Sequence, residues 1–260
     1  MKFLAMIQAR CGSTRLPNKV LKDLCGKPQL QRVIERTQMA KLVDEVMVIT
    51  SIDKSNLPIL KLCADMGVRV GVGAENDVLD RYYQTARLLR PDYVIRITGD
   101  CPLVDPELID MAIEQMTDDT DYCGNPTSAT FADGLDIEII KYSALEKSWK
   151  EAVHSVEREH VTQYIIRHRD LFHYMDFLSP IGYFGNQRWT VDEPEDFELI
   201  KAIYEHFIND KKTENFGYRD VLRYLNDSPE IMEINQMHVR NEGLKKSITE
   251  DKIIDNWRTK

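Results

Sequence analysis

Several features that define whole classes of protein are scarce or absent in this 260-residue sequence. Its five cysteines are odd in number and scattered, and none forms a Cys-x-x-Cys pair, so we expect neither a disulfide framework nor a zinc cluster. Its 34 Lys and Arg are outnumbered by 43 Asp and Glu, which leaves a formal net charge of −9 and argues against nucleic acid as a partner. That balance still allows an anionic substrate held by a few local cations.

Long hydrophobic runs are also missing. The N-terminal apolar run, Phe3 to Ile7, is too short for the core of a signal peptide and is followed at once by Gln8 and Arg10. No apolar stretch approaches the length of a transmembrane helix. We therefore expect a cytoplasmic protein with reduced thiols and no membrane partner.

Three common catalytic and nucleotide-binding motifs do not occur. The sequence has no Gly-x-x-x-x-Gly-Lys-Ser/Thr, no Gly-x-Gly-x-x-Gly and no Gly-x-Ser-x-Gly. A kinase-like P-loop, a dinucleotide-binding Rossmann site and a serine hydrolase elbow all lose support as a result.

What is present in the first half is an alternation of strand-like and helix-like patterns, which indicates a parallel α/β sheet. The predicted strands cover residues 2–8, 45–50, 68–72 and 93–98. The predicted helices cover residues 28–40, 56–66, 77–89 and 107–116. The fold class predicted from this pattern is α/β, with a mostly parallel sheet flanked by helices.

The second half breaks this rhythm. Residues 117–134 are polar and rich in turn formers, and a strand is predicted after them over 135–140. Further helices are predicted over 143–152, 155–169, 194–207 and 218–225, with extended segments at 172–177 and 188–191. We expect one domain over 1–227 with an inserted excursion at about 117–185, and a peripheral C-terminal arm over 228–260.

The loop after the first predicted strand carries the first chemical signal. Ligands of open parallel sheets bind beyond the carboxyl ends of the strands. Here a small Gly12-Ser13-Thr14 turn is flanked by Arg10, Arg15 and Lys19. Backbone N–H groups at close approach and compensating cations are what a polyphosphate needs, so this position favours a phosphate site over a solvated basic loop.

Two aspartates follow other predicted strands. Asp100 comes directly after the strand over 93–98, and Asp192 precedes the helix that begins at Pro194. Each could cap a turn or a helix. Because Mg²⁺ is usually held by one or two carboxylates plus substrate phosphates, two aspartates opposite a basic loop favour a metal site.

The motifs of the sequence resemble those of the cytidylyltransferase family, in its spore-coat polysaccharide biosynthesis branch, which is related to the synthetases of CMP-activated Kdo and acylneuraminates. The matching segments run in order across residues 3 to about 200. They are Ile7-Gln8-Ala9-Arg10-Cys11-Gly12-Ser13-Thr14-Arg15-Leu16-Pro17-Asn18-Lys19, Asp77-Val78-Leu79-x-Arg81-Tyr82, Thr98-Gly99-Asp100-x-Pro102-Leu103, Gly134-x-Asp136-x-Glu138, Glu157-Arg158-Glu159-His160-Val161-Thr162 and Arg188-Trp189-Thr190-Val191-Asp192.

This resemblance implies a nucleotide-diphospho-sugar transferase (GT-A-like) sheet and Mg²⁺-dependent transfer of CMP from CTP to a small anionic acceptor, with release of pyrophosphate. By position it implies catalytic roles for Arg10, Lys19 and Asp100, and metal binding by Asp100 and Asp192. Positions implied for the nucleotide are Ala9, Arg10, Gly12, Ser13, Arg15, Lys19, Asp77, Arg81, Thr98 and Gly99, where Asp77 and Arg81 either bind nucleotide or support a loop.

The acceptor site is where the sequence departs from the family. The sugar-acid synthetases usually have proline in place of Gln8, and their acceptor segments differ. The candidates for acceptor binding here are Asn125, Asp136, Glu138, Glu159, His160 and Trp189. Each has a structural alternative, such as a buried histidine at 160 or a core tryptophan at 189, and we expect two or three of the six to be structural.

Two other functions compete with CMP transfer. A GT-A-type glycosyltransferase would use a nucleotide-sugar donor and usually carries an Asp-x-Asp motif, whereas Asp100 is followed by Cys101-Pro102. A nucleotide-sensing module would lack part of the cation or carboxylate set, which is complete here. The resemblance also leads us to expect a homodimer formed through residues 123–180.

Overall fold

Strands with apolar runs form the centre of the structure, a computed structural model that describes residues 1–254. Within that part of the chain, the sheet contains seven strands. They are β1 (Phe3–Gln8), β2 (Glu45–Ser51), β3 (Arg69–Gly73), β4 (Tyr93–Thr98), β5 (Tyr122–Gly124), β6 (Glu138–Lys141) and β7 (Tyr174–Asp176). The four predicted strands of the first half are confirmed to within one or two residues at each end.

The strand order of the sheet is β3-β2-β1-β4-β6-β5-β7. β1 pairs in parallel with both β2 and β4, and β2 pairs in parallel with β3. β6 is antiparallel to its neighbours β4 and β5, and β7 is again parallel to β5. The mostly parallel α/β sheet is therefore confirmed, and the carboxyl ends of β1 to β4 meet at one edge, which we call the carboxyl edge.

Helices cover both faces of the sheet. They are α1 (Gln29–Gln38), α2 (Leu57–Asp65), α3 (Val78–Leu89), α4 (Pro106–Glu114), α5 (Tyr142–Glu151), α6 (Ser155–Glu159), α7 (Gln163–Arg167), α8 (Pro194–Glu205), α9 (Tyr218–Asp227), α10 (Pro229–Met232) and α11 (Glu242–Thr249). None of the helices within residues 1–254 has the length and apolar character that crossing a membrane requires.

The core consists of two apolar layers, one on each face. Alternate residues of β1 supply both: Ala5 and Ile7 pack with α1, α2, α4, α8 and α9, while Leu4 and Met6 pack with α3, α5 and α7. The period of two follows from the pleat of a strand, and a strand buried on both faces needs the near-continuous apolar run seen here.

Three expectations for the second half are wrong. The helix predicted over 155–169 is two short helices, α6 and α7, because Val161 between them adopts a left-handed backbone conformation with φ 55°. The polar segment 117–134 contains the short strand β5, which is too brief to show an alternating pattern. Residues 188–191 form no strand; Arg188 makes only an isolated bridge with Asp133.

The described part of the predicted arm, residues 228–254, is called the C-terminal segment below. It returns along the molecule and pairs with the connection between α5 and α6. Ser155 N donates to Lys252 O at 2.9 Å, and Ile254 N donates to Val153 O at 2.8 Å. Buried Asn235 donates to Arg188 O at 3.0 Å. Residues 255–260 of the predicted arm lie outside the described residues.

Candidate active site

The carboxyl edge opens into a cleft of about 450 Å³. Three segments far apart in sequence meet there: the loop after β1, the loop after β4, and residues 188–193. Gly99 N donates to Gln8 O at 2.8 Å, and Val191 N donates to Asp100 O at 2.8 Å. A Cβ at Gly99 would lie 3.0 Å from Ala9 Cβ, so glycine permits the close approach of the first two loops.

Lys19 lies at the centre of this junction. Its Nζ donates to Asp100 Oδ2 at 2.9 Å, to Asp192 Oδ1 at 2.7 Å and to Val191 O at 2.9 Å. The residue is only 9% exposed. Burial alone would lower the pKa of the ammonium, but the two carboxylates outweigh it and raise the pKa, so Lys19 is charged.

Asp100 and Asp192 contact the same ammonium group and therefore lie close enough to share one cation. Burial opposes the ionisation of Asp100, but the Lys19 ammonium and a hydrogen bond from Thr98 outweigh it and lower the pKa of Asp100 to about 2. Within residues 1–254, no cluster of three or more His, Cys, Asp or Glu could hold a metal by itself. The carboxylates of Asp100 and Asp192, beside the basic loop, nevertheless suit Mg²⁺, which usually takes one or two carboxylates together with waters and substrate phosphates.

The basic loop over Ala9–Lys19 lines one wall of the cleft, including Ala9, Gly12, Ser13 and Thr14. Arg15 is held by acids: its guanidinium nitrogens lie 3.0 Å from both Asp192 and Glu193. Half-exposed Arg10 lies 3.5 Å from Glu75. Both residues line the cleft, and both are paired to carboxylates.

The segment before α3 is a supported loop. Asp77 accepts a hydrogen bond from Asp80 N at 2.8 Å, which caps α3, and it also accepts from Arg158 Nη2 at 2.7 Å. Arg81 donates to Ala74 O at 2.6 Å and also lines the cleft. The sequence left open whether Asp77 and Arg81 bind nucleotide or support a loop. The contacts of Asp77 support the loop, and it is not part of the cleft lining. Arg81 both supports the loop and lines the cleft.

Thr98, at the end of β4, lines the cleft, and its hydroxyl lies 2.9 Å from Cys101 Sγ. Gln29 Nε2 donates to Gly99 O at 3.1 Å, so the first residue of α1 holds the backbone of the turn at 98–101. The turn that carries Asp100 is thereby held against the loop after β1.

Four of the six acceptor candidates line the far end of the cleft: Asp136, Glu138, Glu159 and His160. Glu138 is buried and pairs with Arg96, and it also accepts from Tyr122 Oη at 2.7 Å. Burial lowers the pKa of His160, so the imidazole is neutral near pH 7. In the described part of the chain its Nε2 makes no hydrogen bond.

The other two acceptor candidates are structural. Trp189 is 0% exposed, and its Nε1 donates to Gln187 Oε1 at 3.1 Å. Asn125 is buried, and its side chain links its own loop to the backbone just before β6. It donates to Leu135 O at 2.8 Å and accepts from Ile137 N at 2.8 Å. Neither belongs to the cleft lining, so the structure does not support the acceptor roles predicted for Asn125 and Trp189.

Two arginines of the cleft were missed by sequence reasoning. Arg188 donates to Asp196 at 2.8 Å through both Nε and Nη2, and to Asp133 at 3.1 Å. Arg96 stands within the otherwise apolar strand β4 and pairs with Glu138 across the sheet. A charged residue inside a buried strand is a signal that could have marked Arg96, because such a charge needs a partner.

The C-terminal segment contributes to the cleft as well. Arg240 donates to Asp136 Oδ1 at 2.9 Å, and residues 241–244 line the cleft. Glu242 lies 3.8 Å from Arg15, and Ser247 Oγ donates to Glu159 at 3.0 Å. No motif in the sequence of this segment could have shown these contacts.

The fold and the site together define a class of protein. A mostly parallel sheet with a cationic loop and two carboxylates at its carboxyl edge is typical of α/β enzymes, which bind their ligands at that edge. The family model described as cytidylyltransferase matches residues 4–244. The chain therefore belongs to the cytidylyltransferase family, whose members are nucleotidyltransferases that use CTP.

Individual relatives agree with this assignment. The chain is 38% identical over 90% of its length to an uncharacterised protein of Methanocaldococcus jannaschii, of which it covers 95%. It is 36% identical over 78% of its length to the spore coat polysaccharide biosynthesis protein SpsF of Bacillus subtilis, of which it covers 86%. A solved cytidylyltransferase from Leptospira borgpetersenii superposes with a TM-score of 0.85 at 30% identity, covering 92% of this chain and 100% of that one.

Proposed function

We propose that this cytidylyltransferase transfers CMP from CTP to a sugar acid or a similar precursor of a surface polysaccharide, with Mg²⁺ bound between Asp100 and Asp192. The observation that carries the proposal is the contact of Lys19 with both carboxylates beneath the basic loop. Similarity to a spore coat polysaccharide biosynthesis protein supports the acceptor class.

In the reaction, an acceptor oxygen attacks the α-phosphorus of CTP and pyrophosphate leaves. Such transfers leave the protein little covalent work, so positioning and charge neutralisation dominate. Arg10 and Lys19 stabilise the charge that builds on the departing pyrophosphate. Loss of one such electrostatic donor typically costs about 3 kcal/mol in the activation barrier.

Asp100 and Asp192 are the residues that would hold the metal ion. When bound, Mg²⁺ would supply Lewis-acid polarisation of phosphate oxygens. Because Lys19 contacts both carboxylates, it also keeps them from repelling one another while the nucleotide is absent. Arg15 pairs with Asp192 and Glu193 in the same state, so nucleotide binding would exchange these pairs for phosphate contacts.

The experiment is a pyrophosphate-release assay with each of the four ribonucleoside triphosphates against a panel of sugar acids and neutral sugars. We expect release with CTP, an acidic sugar and Mg²⁺, and its loss in Asp100→Asn. Asp110→Asn is the matched control, because Asp110 only accepts backbone hydrogen bonds from Lys41 and Leu42 away from the cleft. Turnover of a preformed nucleotide-sugar without pyrophosphate would instead indicate a glycosyltransferase.

A further inference from the structure

Asp136 differs from its neighbour Glu138 in how its two carboxylate oxygens are used. Oδ1 accepts from Arg240 at 2.9 Å, whereas Oδ2 makes no hydrogen bond within residues 1–254. The side chain is 20% exposed and lines the cleft. By contrast, Glu138 uses one oxygen for Arg96 and the other for Tyr122. Asp136 therefore presents one unoccupied carboxylate oxygen to whatever binds there.

Arg240 holds this carboxylate in a fixed orientation. Its Nη1 donates to Phe131 O at 2.7 Å while Nη2 donates to Asp136, so the guanidinium is anchored at two points. Gly134 lies in the same loop as Asp136, just before β6, and packs closely. Its φ is +108°, and an added Cβ would lie 2.5 Å from Thr190 N. The loop before β6 thus packs directly against the segment that leads to Asp192.

This arrangement places Asp136 beside the metal-binding turn. Thr190, against which Gly134 packs, donates from Oγ1 to Asp100 O at 3.3 Å, so the loop that carries Asp136 lies against the turn that carries Asp100. His160 Nε2 lies 3.7 Å from Glu159 Oε2, so that base already faces a carboxylate. Asp136 is therefore the base that lies on the loop packed against the turn of Asp100.

The surroundings of Asp136 also suit proton transfer. Burial raises the pKa of Asp136 to about 7, with Asp133 and Glu138 adding to the rise and Arg240 and Arg96 opposing it. A general base works best when its pKa lies near the working pH. The positive charge of Arg240 thus favours the ionised form of Asp136 and limits the rise of its pKa.

We propose that Asp136 is the general base of the reaction and that Arg240, from the C-terminal segment, is its positioning residue. The acceptor hydroxyl gives its proton to Asp136 Oδ2, and its oxygen forms a bond to the α-phosphorus. The bond from that phosphorus to the bridging oxygen breaks, and pyrophosphate leaves with the electron pair. This inference rests on the proposed transfer of CMP to a hydroxyl.

The test is the dependence of kcat on pH, measured by pyrophosphate release at saturating CTP, Mg²⁺ and acceptor. The wild type should gain activity with rising pH through a midpoint near 7. Asp136→Asn should lower kcat by roughly 10²- to 10⁴-fold and lose this limb. Arg240→Gln should move the midpoint upward by about 1 to 3 pH units, because a positive charge that favours the ionised carboxylate is removed.

Three control variants separate this role from a structural one. Arg240→Lys keeps the charge and should leave the midpoint near its original position. Arg167→Gln breaks a different contact of the C-terminal segment, the 3.1 Å pair with Asp251, and should not move the midpoint. His160→Gln should retain the limb, since the pKa of His160 is lowered and its titration falls below that of Asp136.

The outcomes distinguish the two proposals. A limb that persists unchanged in Asp136→Asn, that vanishes in His160→Gln, or that does not move in Arg240→Gln would overturn the general-base role while leaving CMP transfer intact. Absence of pyrophosphate release from the wild type with every acceptor would overturn the proposed function, and the role of Asp136 with it.

Discussion

Replacement of Lys19 by methionine tests the central contact of the cleft. Methionine keeps much of the length and volume of the side chain but removes the ammonium that lies 2.9 Å from Asp100 and 2.7 Å from Asp192. Two carboxylates would then face each other with no cation between them. We expect both the free energy of unfolding and the rate of CMP transfer to fall.

The size of the stability effect follows from burial. Breaking a fully buried ion pair costs about 3–5 kcal/mol, because an uncompensated charge remains behind. The Lys19 side chain is 11% exposed, but those of Asp100 and Asp192 are 30% and 23% exposed, so water stabilises the remaining carboxylates. Discounting for that solvation, we expect Lys19→Met to lower the free energy of unfolding by about 2–3 kcal/mol.

The effect on catalysis should be separate and larger. Loss of a preorganised charge at the developing pyrophosphate should lower kcat by roughly 10²- to 10³-fold. Urea denaturation gives the first quantity, and pyrophosphate release at saturating CTP and Mg²⁺ gives the second. Lys27→Met is the matched control, because Lys27 also bridges two carboxylates, Glu35 and Glu214, but on the surface outside the cleft. That variant should lose no more than about 1 kcal/mol and keep its activity.

Two results together would contradict the expected contribution of Lys19 to stability and catalysis. One is a Lys19→Met protein that unfolds at the same urea concentration as the wild type. The other is a kcat within about threefold of the wild-type value, where the expected loss is roughly 10²-fold or more. Equal losses in the Lys19 and Lys27 variants would also refute it, since the effect would then not depend on the site.

Three further predictions concern the structure around the cleft. Asp196→Ala removes the buried partner of Arg188 and should cost about 3–5 kcal/mol of stability in urea denaturation, and a loss below 1 kcal/mol would contradict this. Gly134→Ala should cost at least about 1 kcal/mol because of its positive φ and close backbone contact, whereas Gly12→Ala, which meets nothing within 4 Å, should leave the melting temperature unchanged. Asn125→Ala should lower the melting temperature, because it leaves two buried backbone groups without a hydrogen bond at a cost of about 1–3 kcal/mol each. It should not change KM for the acceptor. A raised KM at unchanged stability would argue for acceptor binding.

Local patterns predicted some elements well and others poorly. The strand over 93–98 was predicted at its observed bounds, because a run of buried apolar residues between a helix and a turn is a strong local signal. The division of the helix over 155–169 could not be predicted, since it depends on one left-handed residue, Val161, for which valine has no intrinsic preference. The strand β5 is only three residues long and owes its existence to pairing with β6 and β7.

Some features of the candidate site could likewise be proposed from the sequence, and others could not. The residues of the loop after β1 and the two aspartates could be proposed from the sequence because each follows a predicted strand, where parallel sheets bind ligands. The burial of Trp189 and Asn125 outside the cleft lining could not be predicted, because burial is a property of the packed molecule and a polar or aromatic residue in a loop looks the same whether it binds substrate or backbone. Arg240 was missed, because its partner Asp136 lies 104 positions away.

By itself, the sequence determined the alternation of strands and helices, the parallel sheet and the composition of each loop, since these depend on side-chain periodicity and on residues a few positions apart. The tertiary structure alone decided which charges meet. Lys19 contacts carboxylates 81 and 173 positions away, and the C-terminal segment lines the same cleft and contacts Asp136 through Arg240. Such contacts follow from strand order and from the packing of helices on two faces, which bring distant loops to one edge without leaving any local pattern in the chain.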